Sequence, residues 1–277
     1  MVRYIRLDAD KDAVKQKIDE YSRERLKNND GWWLPAKKRT RAVINELNYK
    51  FSRGYVLSKL ADTLPEKSKV MDLGGGVGIY SKILSDMRPD LEIVSFDISS
   101  VLQEHGEKEF GNHQIHFVNG DAEALNSFNE HEFDAIFSLE ALEHFPAWET
   151  VLANIYVWGK VNCQFYITTP NYSSKLSDLP SWIKIFTQNQ YEKTEDLIYD
   201  KAVDTEKIVN ELNEIGAEYV DIKYTQIMNE WPAQVFAKLF GLKMSVWFFC
   251  LVEQIPLFRK QLGFTQIINF TKGKLHR

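Results

Sequence analysis

The chain has 277 residues, 44% of them hydrophobic, enough for one elaborated domain with a sizeable core. A formal net charge of -5 and a pI near 5.8 argue against nucleic-acid binding through bulk charge. Two distant cysteines, Cys163 and Cys250, lack metal-ligand spacing, the start is charged rather than apolar, and the longest apolar run, Val246 to Val252, is too short to span a bilayer; a cytoplasmic protein is expected.

Residues 1–67 read as an N-terminal helical cap, and 68–277 as the main domain. The stretch "DADKDAVKQKIDEYSRERL" places Val14, Ile18, Tyr21 and the stem of Arg25 on one stripe. "NNDGWW" breaks it, and a second helical region runs from about Thr40 to Leu64, where Pro65 stops it. Trp32 and Trp33 could plug this cap onto the core or close over a substrate. Lys37, Lys38, Arg39, Arg41, Lys50, Arg53 and Lys59 read as a solvated face or a patch for an anionic acceptor. From Val70 onward, short apolar runs at 69–73, 91–96, 115–118, 133–138, 163–168, 218–224 and 264–270 alternate with helical patterns near 78–87, 99–110, 147–158 and 204–215. Asp204 stands where the last of these helices needs an N-cap. Such alternation predicts an α/β fold, a doubly wound, mostly parallel seven-stranded sheet. Segments 171–203 and 231–262 interrupt it and read as accessory insertions, the second a helical one before the last strand.

The stretch "KVMDLGGGVGIYSKIL" puts a glycine turn between the first strand and its helix, the place where a doubly wound sheet binds ligands. A dinucleotide site needs G-x-G-x-x-G; counted from Gly74, the pattern reaches Gly76 and then Ile79, missing the third glycine. Asp72 would also repel a pyrophosphate, whereas it would attract a ligand with a cationic end.

Asp72, Gly74, Gly76 and Gly78 resemble motif I, D-x-G-x-G-x-G, of class I S-adenosylmethionine (SAM)-dependent methyltransferases. The second strand runs into Asp97, whose counterpart in that family accepts both ribose hydroxyls, and Ile98 would pack on the adenine. "VNGDAEAL" places Asp121 and Ala122 where the family contacts the adenine edge; an Asx-turn is the competing reading of Asp121. "FSLEALEHFPAW" and "FYITTPN" resemble the family's segments after the fourth strand and at the end of the fifth, with Leu139 at the cofactor wall. The resemblance covers about Lys69 to Tyr224 and implies a Rossmann-like methyltransferase fold with SAM as cofactor.

Glu140, Glu143 and His144 follow the fourth strand and are the candidate catalytic groups, on one face if the stretch turns helical. His144 could serve as base, or Glu143 and His144 could fix the loop while Glu140 touches the cofactor. The same E-x-x-E-H string resembles the metal site of small-RNA 2′-O-methyltransferases, but no histidine lies between Phe145 and Leu275, and His276 is a poor fourth ligand. No metal is therefore expected. The reading is methyl transfer to a small-molecule, sugar- or lipid-linked acceptor, with oxygen favoured. A silent SAM-fold regulator and an RNA or protein methyltransferase are the alternatives. The basic, aromatic segment 231–262 reads as a helical pair closing the site, a dimer contact, or a peripheral membrane contact.

Overall fold

A computed structural model describes residues 11–28, 49–111, 114–171, 203–225, 230–252, 254 and 265–273. Trp32, Trp33, the run Lys37 to Arg41, most of 171–203 and His276 lie outside the described residues.

Seven strands form one sheet: β1 (Lys69–Leu73), β2 (Glu92–Asp97), β3 (Ile115–Asn119), β4 (Phe133–Leu139), β5 (Gly159–Pro170), β6 (Ala217–Thr225) and β7 (Thr265–Lys272). Their order across the sheet is β3-β2-β1-β4-β5-β7-β6. β1 to β5 pair in parallel, and β7 inserts antiparallel between β5 and β6. Strand order reverses between β1 and β4, so the chains leaving these two strands part and open a crevice at their carboxyl ends.

Side-chain alternation along the strands feeds two cores. Met71, Leu73, Val94, Phe96 and Ile136 face helices α5 (Trp148–Trp158) and α6 (Thr205–Glu214). Asp204 caps α6, its carboxylate accepting the Glu206 N–H at 3.0 Å. The core of this layer is aromatic: Trp158 is fully buried, meets Phe96 and Phe128 edge-on, and donates its indole N–H to the Leu125 carbonyl at 2.9 Å.

On the other face, Val70, Ile93, Ala135 and Phe137 pack against α2 (Gly54–Thr63) and α3 (Ile79–Met87). Val56, Leu57 and Leu60 of α2 are completely buried there. Helix α2, within the expected N-terminal cap, thus packs directly on the sheet and is entered through the π-helical turn Tyr49–Arg53. Arg88 ties its end down, donating to the carbonyls of Ala61 and Leu64 at 2.7 and 3.0 Å while Asp90 holds the guanidinium. Helix α4 (Ser100–Phe110) follows β2, and the long segment α7 (Glu230–Val252) precedes the last strand.

The N-terminal helix α1 (Lys11–Asn28) docks differently from the apolar stripe expected of it. Ile18 and Tyr21 are only partly buried, whereas Asp19 and Ser22 are buried against the start of α4. Val14 and Arg25 belong to α1, but their side chains lie outside the described residues.

The aromatic core sets the main stability prediction. Trp158→Ala removes a fully buried indole and leaves the Leu125 carbonyl without its donor, so urea unfolding should show a loss of about 3–5 kcal/mol. A loss under 1 kcal/mol would mean that this cluster does not anchor the sheet.

Candidate functional site

The glycine turn leaves β1 at the crevice. The N–H groups of Gly74 and Gly75 both donate to the Phe96 carbonyl of β2, at 2.8 and 3.2 Å, and Gly78 closes the turn onto the Gly75 carbonyl at 2.8 Å. Gly74, Gly76 and Gly78 all have positive φ, between 56° and 74°. Two of them show what the turn needs. A Cβ on Gly74 would sit 2.5 Å from the Ala141 Cβ, so the segment after β4 packs directly on this backbone. A Cβ on Gly76 would meet only Leu102, at 3.8 Å, so open space lies over that residue. Such a bare cradle fits a ligand resting on backbone.

Asp97 joins the turn to the next strand. One carboxylate oxygen accepts the Gly76 N–H at 2.9 Å and the other the Ser99 N–H at 2.8 Å. Its residue surface is only partly covered, yet burial of the carboxyl raises its pKa; the two N–H bonds and the nearby His144 oppose this and Asp19 adds to it. Behind it, Gln103 donates to the Gly76 carbonyl at 2.8 Å. Asp19 of α1 accepts from the hydroxyls of Ser99 and Ser100 at 2.8 and 2.9 Å, adding a carboxylate to the start of α4. Asn119 of β3 donates to the carbonyls of Asp97 and Ile98, at 3.0 and 2.8 Å.

Asp72 does not line the crevice in the way expected. It is 1% exposed and accepts the Ser81 hydroxyl at 2.7 Å, locking α3 to β1 beneath the turn. Burial pushes its pKa up to about 7. Asp121 forms an Asx-turn, its Oδ1 accepting the Glu123 N–H at 2.8 Å, which leaves its other oxygen outside that turn. Ala122 is buried beside it, and Leu139 ends β4.

The segment after β4 departs from a shared helical face. Only Leu142–His144 forms a 3-10 turn, and Glu140 precedes it with φ 57°, a left-handed conformation uncommon for a non-glycine residue. The Glu140 N–H is held by both the carbonyl and the hydroxyl of Thr168, each at 3.0 Å. Its Oε1 is buried with no hydrogen-bond partner among the described residues. Glu143 is buried and accepts the Thr169 hydroxyl at 2.9 Å, whereas His144 is half-buried and close enough to act on Asp97.

Arg53 and Tyr80 complete the site, and the motif pattern does not reveal them. The Arg53 guanidinium stands 6.0 Å from the Tyr80 ring centroid. Burial pushes the Tyr80 phenol up to about 12; Arg53 opposes this, and Glu140 and Asp72 reinforce it, so all four gather at one place. Their signal in the sequence is weak because they come from the entry turn of α2 and from the first turn of α3. A depression of about 370 Å³ lined by Lys67, Asp90, Glu92 and Gln114 lies at the opposite, amino ends of the strands, away from this chemistry.

Asp72 makes a pH prediction. Its folded pKa of about 7 lies above the ordinary 3.8, so it contributes stability that is complete below pH 4 and lost as the pH rises through 7. At about 1.4 kcal/mol for each pH unit between those values, the loss is on the order of 4 kcal/mol. Urea unfolding of Asp72→Asn should thus fall off less than wild type between pH 4 and 8; parallel curves would show that this carboxyl is not buried as described.

A family model described as "Methyltransferase domain" matches residues 46–222. No curated protein sequence matches the chain. Similar solved structures include a chain from the complex between the Haloferax volcanii Trm112 methyltransferase activator and a methyltransferase, 15% identical, covering 95% of this chain and 99% of that one with a TM-score of 0.61. Another is a Galdieria sulphuraria protein described as a sarcosine dimethylglycine methyltransferase: 15% identity, 92% and 99% coverage, TM-score 0.59. A third, Haemonchus contortus phosphoethanolamine N-methyltransferase 2 in complex with S-adenosyl-L-methionine, is 12% identical over 80% of this chain and 52% of that one, with a TM-score of 0.52. At such identities the likeness is one of fold, while the family match spans well over half of the chain. The glycine turn, the Asp97 junction and that match together place the chain in the methyltransferase-domain family, as a SAM-dependent methyltransferase.

Proposed function

We propose that the chain transfers the SAM methyl group to an oxygen of a small-molecule, sugar- or lipid-linked acceptor, with SAM held across the carboxyl ends of β1, β2 and β4. The observation that carries the placement is the Asp97 junction: a carboxylate that fixes the glycine turn through one oxygen and the start of α4 through the other. Each oxygen keeps a further lone pair, the number that two ribose hydroxyls need. The bare backbone over Gly76 gives room for the nucleoside, Ile98 and Leu139 give apolar walls, and Asp121 with the Ala122 backbone stands at the adenine edge.

SAM supplies an electrophilic methyl on a sulfonium when bound. The chain's own residues must hold, orient and dehydrate the reacting groups. Glu140 fits the cofactor's ammonium, because its buried Oε1 lacks a donor among the described residues and its backbone is held in a strained conformation by Thr168. Arg53 stands on the same side as a counterpart for the carboxylate. Asp72 acts through the turn it anchors, without touching the ligand. Glu143 is a positioning residue: its bond from Thr169 couples the loop after β4 to the end of β5. His144, half-buried beside these groups, is the residue placed to take the acceptor's proton.

Binding and turnover separate these roles. In calorimetry with S-adenosylhomocysteine, Asp97→Ala should lose binding by a hundredfold or more, while His144→Gln should bind normally. With labelled SAM and fractionated extract as the acceptor source, His144→Gln should transfer label about 10²–10⁴-fold more slowly. Wild-type turnover in His144→Gln would remove the base, and normal binding by Asp97→Ala would remove the cofactor placement.

A further inference from the structure

The segment α7 is not one rod. Phe236 stacks on Phe248 with ring centroids 4.5 Å apart and lies 5.4 Å from Phe249. In a continuous helix, twelve residues would separate the first two by about 18 Å. The chain folds back at Gly241, whose φ of 78° and ψ of 170° are not helical. Two half-helices, 230–240 and 242–252, thus clasp each other through these phenylalanines. Ser245 donates to the Gly241 carbonyl at 2.7 Å and closes the bend.

The clasp buries Phe249 and Ser245 and leaves much of the apolar surface outside. Leu239, Phe240, Met244, Trp247, Phe248 and Leu251 are between 37% and 69% exposed, more than half of the exposed large hydrophobic side chains among the described residues. A Cβ placed on Gly241 would meet nothing within 4 Å, so there is open space over the bend at that position. Lys238 and Lys243 flank the bend and are exposed, and no acid occurs between Glu230 and Glu253.

We propose that this hairpin docks the enzyme on an anionic lipid surface, bend first, with its aromatic and aliphatic side chains at the level of the headgroups and Lys238 and Lys243 on the lipid phosphates. Three observations select this occupant. An interface of headgroups and acyl chains accepts tryptophan, phenylalanine and lysine side by side, which a purely apolar protein groove does not. Pairing with a second copy about a two-fold axis would set the lysine-bearing faces against each other with no acid to compensate. No described helix is long and apolar enough to cross a membrane, so the hairpin fits contact with one leaflet. The docking rests on the hairpin alone; only its consequence, delivery of a lipid-linked acceptor to the crevice, rests on the proposed function.

Co-sedimentation of the full chain with vesicles of phosphatidylcholine, alone or mixed with phosphatidylglycerol, tests this. Binding should appear with the anionic vesicles and weaken as salt is added. Phe240→Ser and Trp247→Ser should each lower partitioning about tenfold or more, and Lys238→Glu and Lys243→Glu about fivefold or more. S-adenosylhomocysteine affinity should stay at the wild-type value in all four, which shows the fold intact and keeps failure of docking distinct from failure of the cofactor site. Absence of binding to either vesicle, binding that the variants leave unchanged, or a concentration-dependent dimer that Trp247→Ser dissolves would each overturn the proposal.

Discussion

The carboxylate of Asp97 is the constraint on which the crevice depends. It stands at the end of β2, yet its two oxygens are taken by backbone N–H groups from elsewhere: Gly76 in the turn after β1 and Ser99 before α4. A glycine turn with several positive φ values has many competing conformations, and ordering them costs entropy. Asp97 selects one of them by satisfying the turn's outward N–H, and Gln103 holds the opposite side of the same peptide segment through the Gly76 carbonyl. The turn is therefore organised by bonds from the chain itself.

The electrostatics follow from gathering acids where burial makes charge expensive. Asp72 and Asp97 each have a raised pKa chiefly through burial, and Asp97 adds to the rise at Asp72. Glu140 adds a third carboxyl whose Oε1 lacks a described partner. Arg53 supplies an opposing positive charge beside Tyr80, and His144 stands near Asp97. A pyrophosphate would add charge of the same sign to this surface. A ligand carrying a sulfonium and an ammonium would offset the charge of Asp97 and Glu140, so this arrangement favours one class of nucleoside over another.

The strands were legible because parallel central strands must be apolar, and each predicted run lies within or beside an observed one. The motif residues were legible because β1, β2, β3 and β4 deliver them to one edge. Sequence spacing could not reveal how side chains are used once delivered. Asp72 reads as an acid facing a ligand, but Ser81, nine residues away and one helical turn into α3, draws it under the turn. Glu140, Glu143 and His144 read as one helical face, but Thr168 captures the Glu140 backbone, and the left-handed φ sends the chain on a different course. Neither partner, Ser81 beyond the glycine turn nor Thr168 in β5, is announced by the motif spacing. A helical pair was legible over 231–262, but its bend at Gly241 was not: one glycine in an apolar run does not announce it, and the non-helical backbone there and the stacking of Phe236 on Phe248 show it.

The two described N-terminal helices are held in different ways. α2 inserts Val56, Leu57 and Leu60 into the core, and each such side chain contributes about 1.5–3 kcal/mol by leaving water. α1 is attached largely by hydrogen bonds of Asp19 and Ser22 with the start of α4, and by Lys15 on Asn119 at 2.7 Å. Net contributions there are about 0.5–1.5 kcal/mol per bond, more where a charge takes part. Detaching α1 also uncovers a buried carboxylate, which water readily solvates, and this offsets part of the loss. Detaching α2 would expose the sheet itself. The contact of α1 with the start of α4 is consequently held less firmly than the packing of α2 on the sheet.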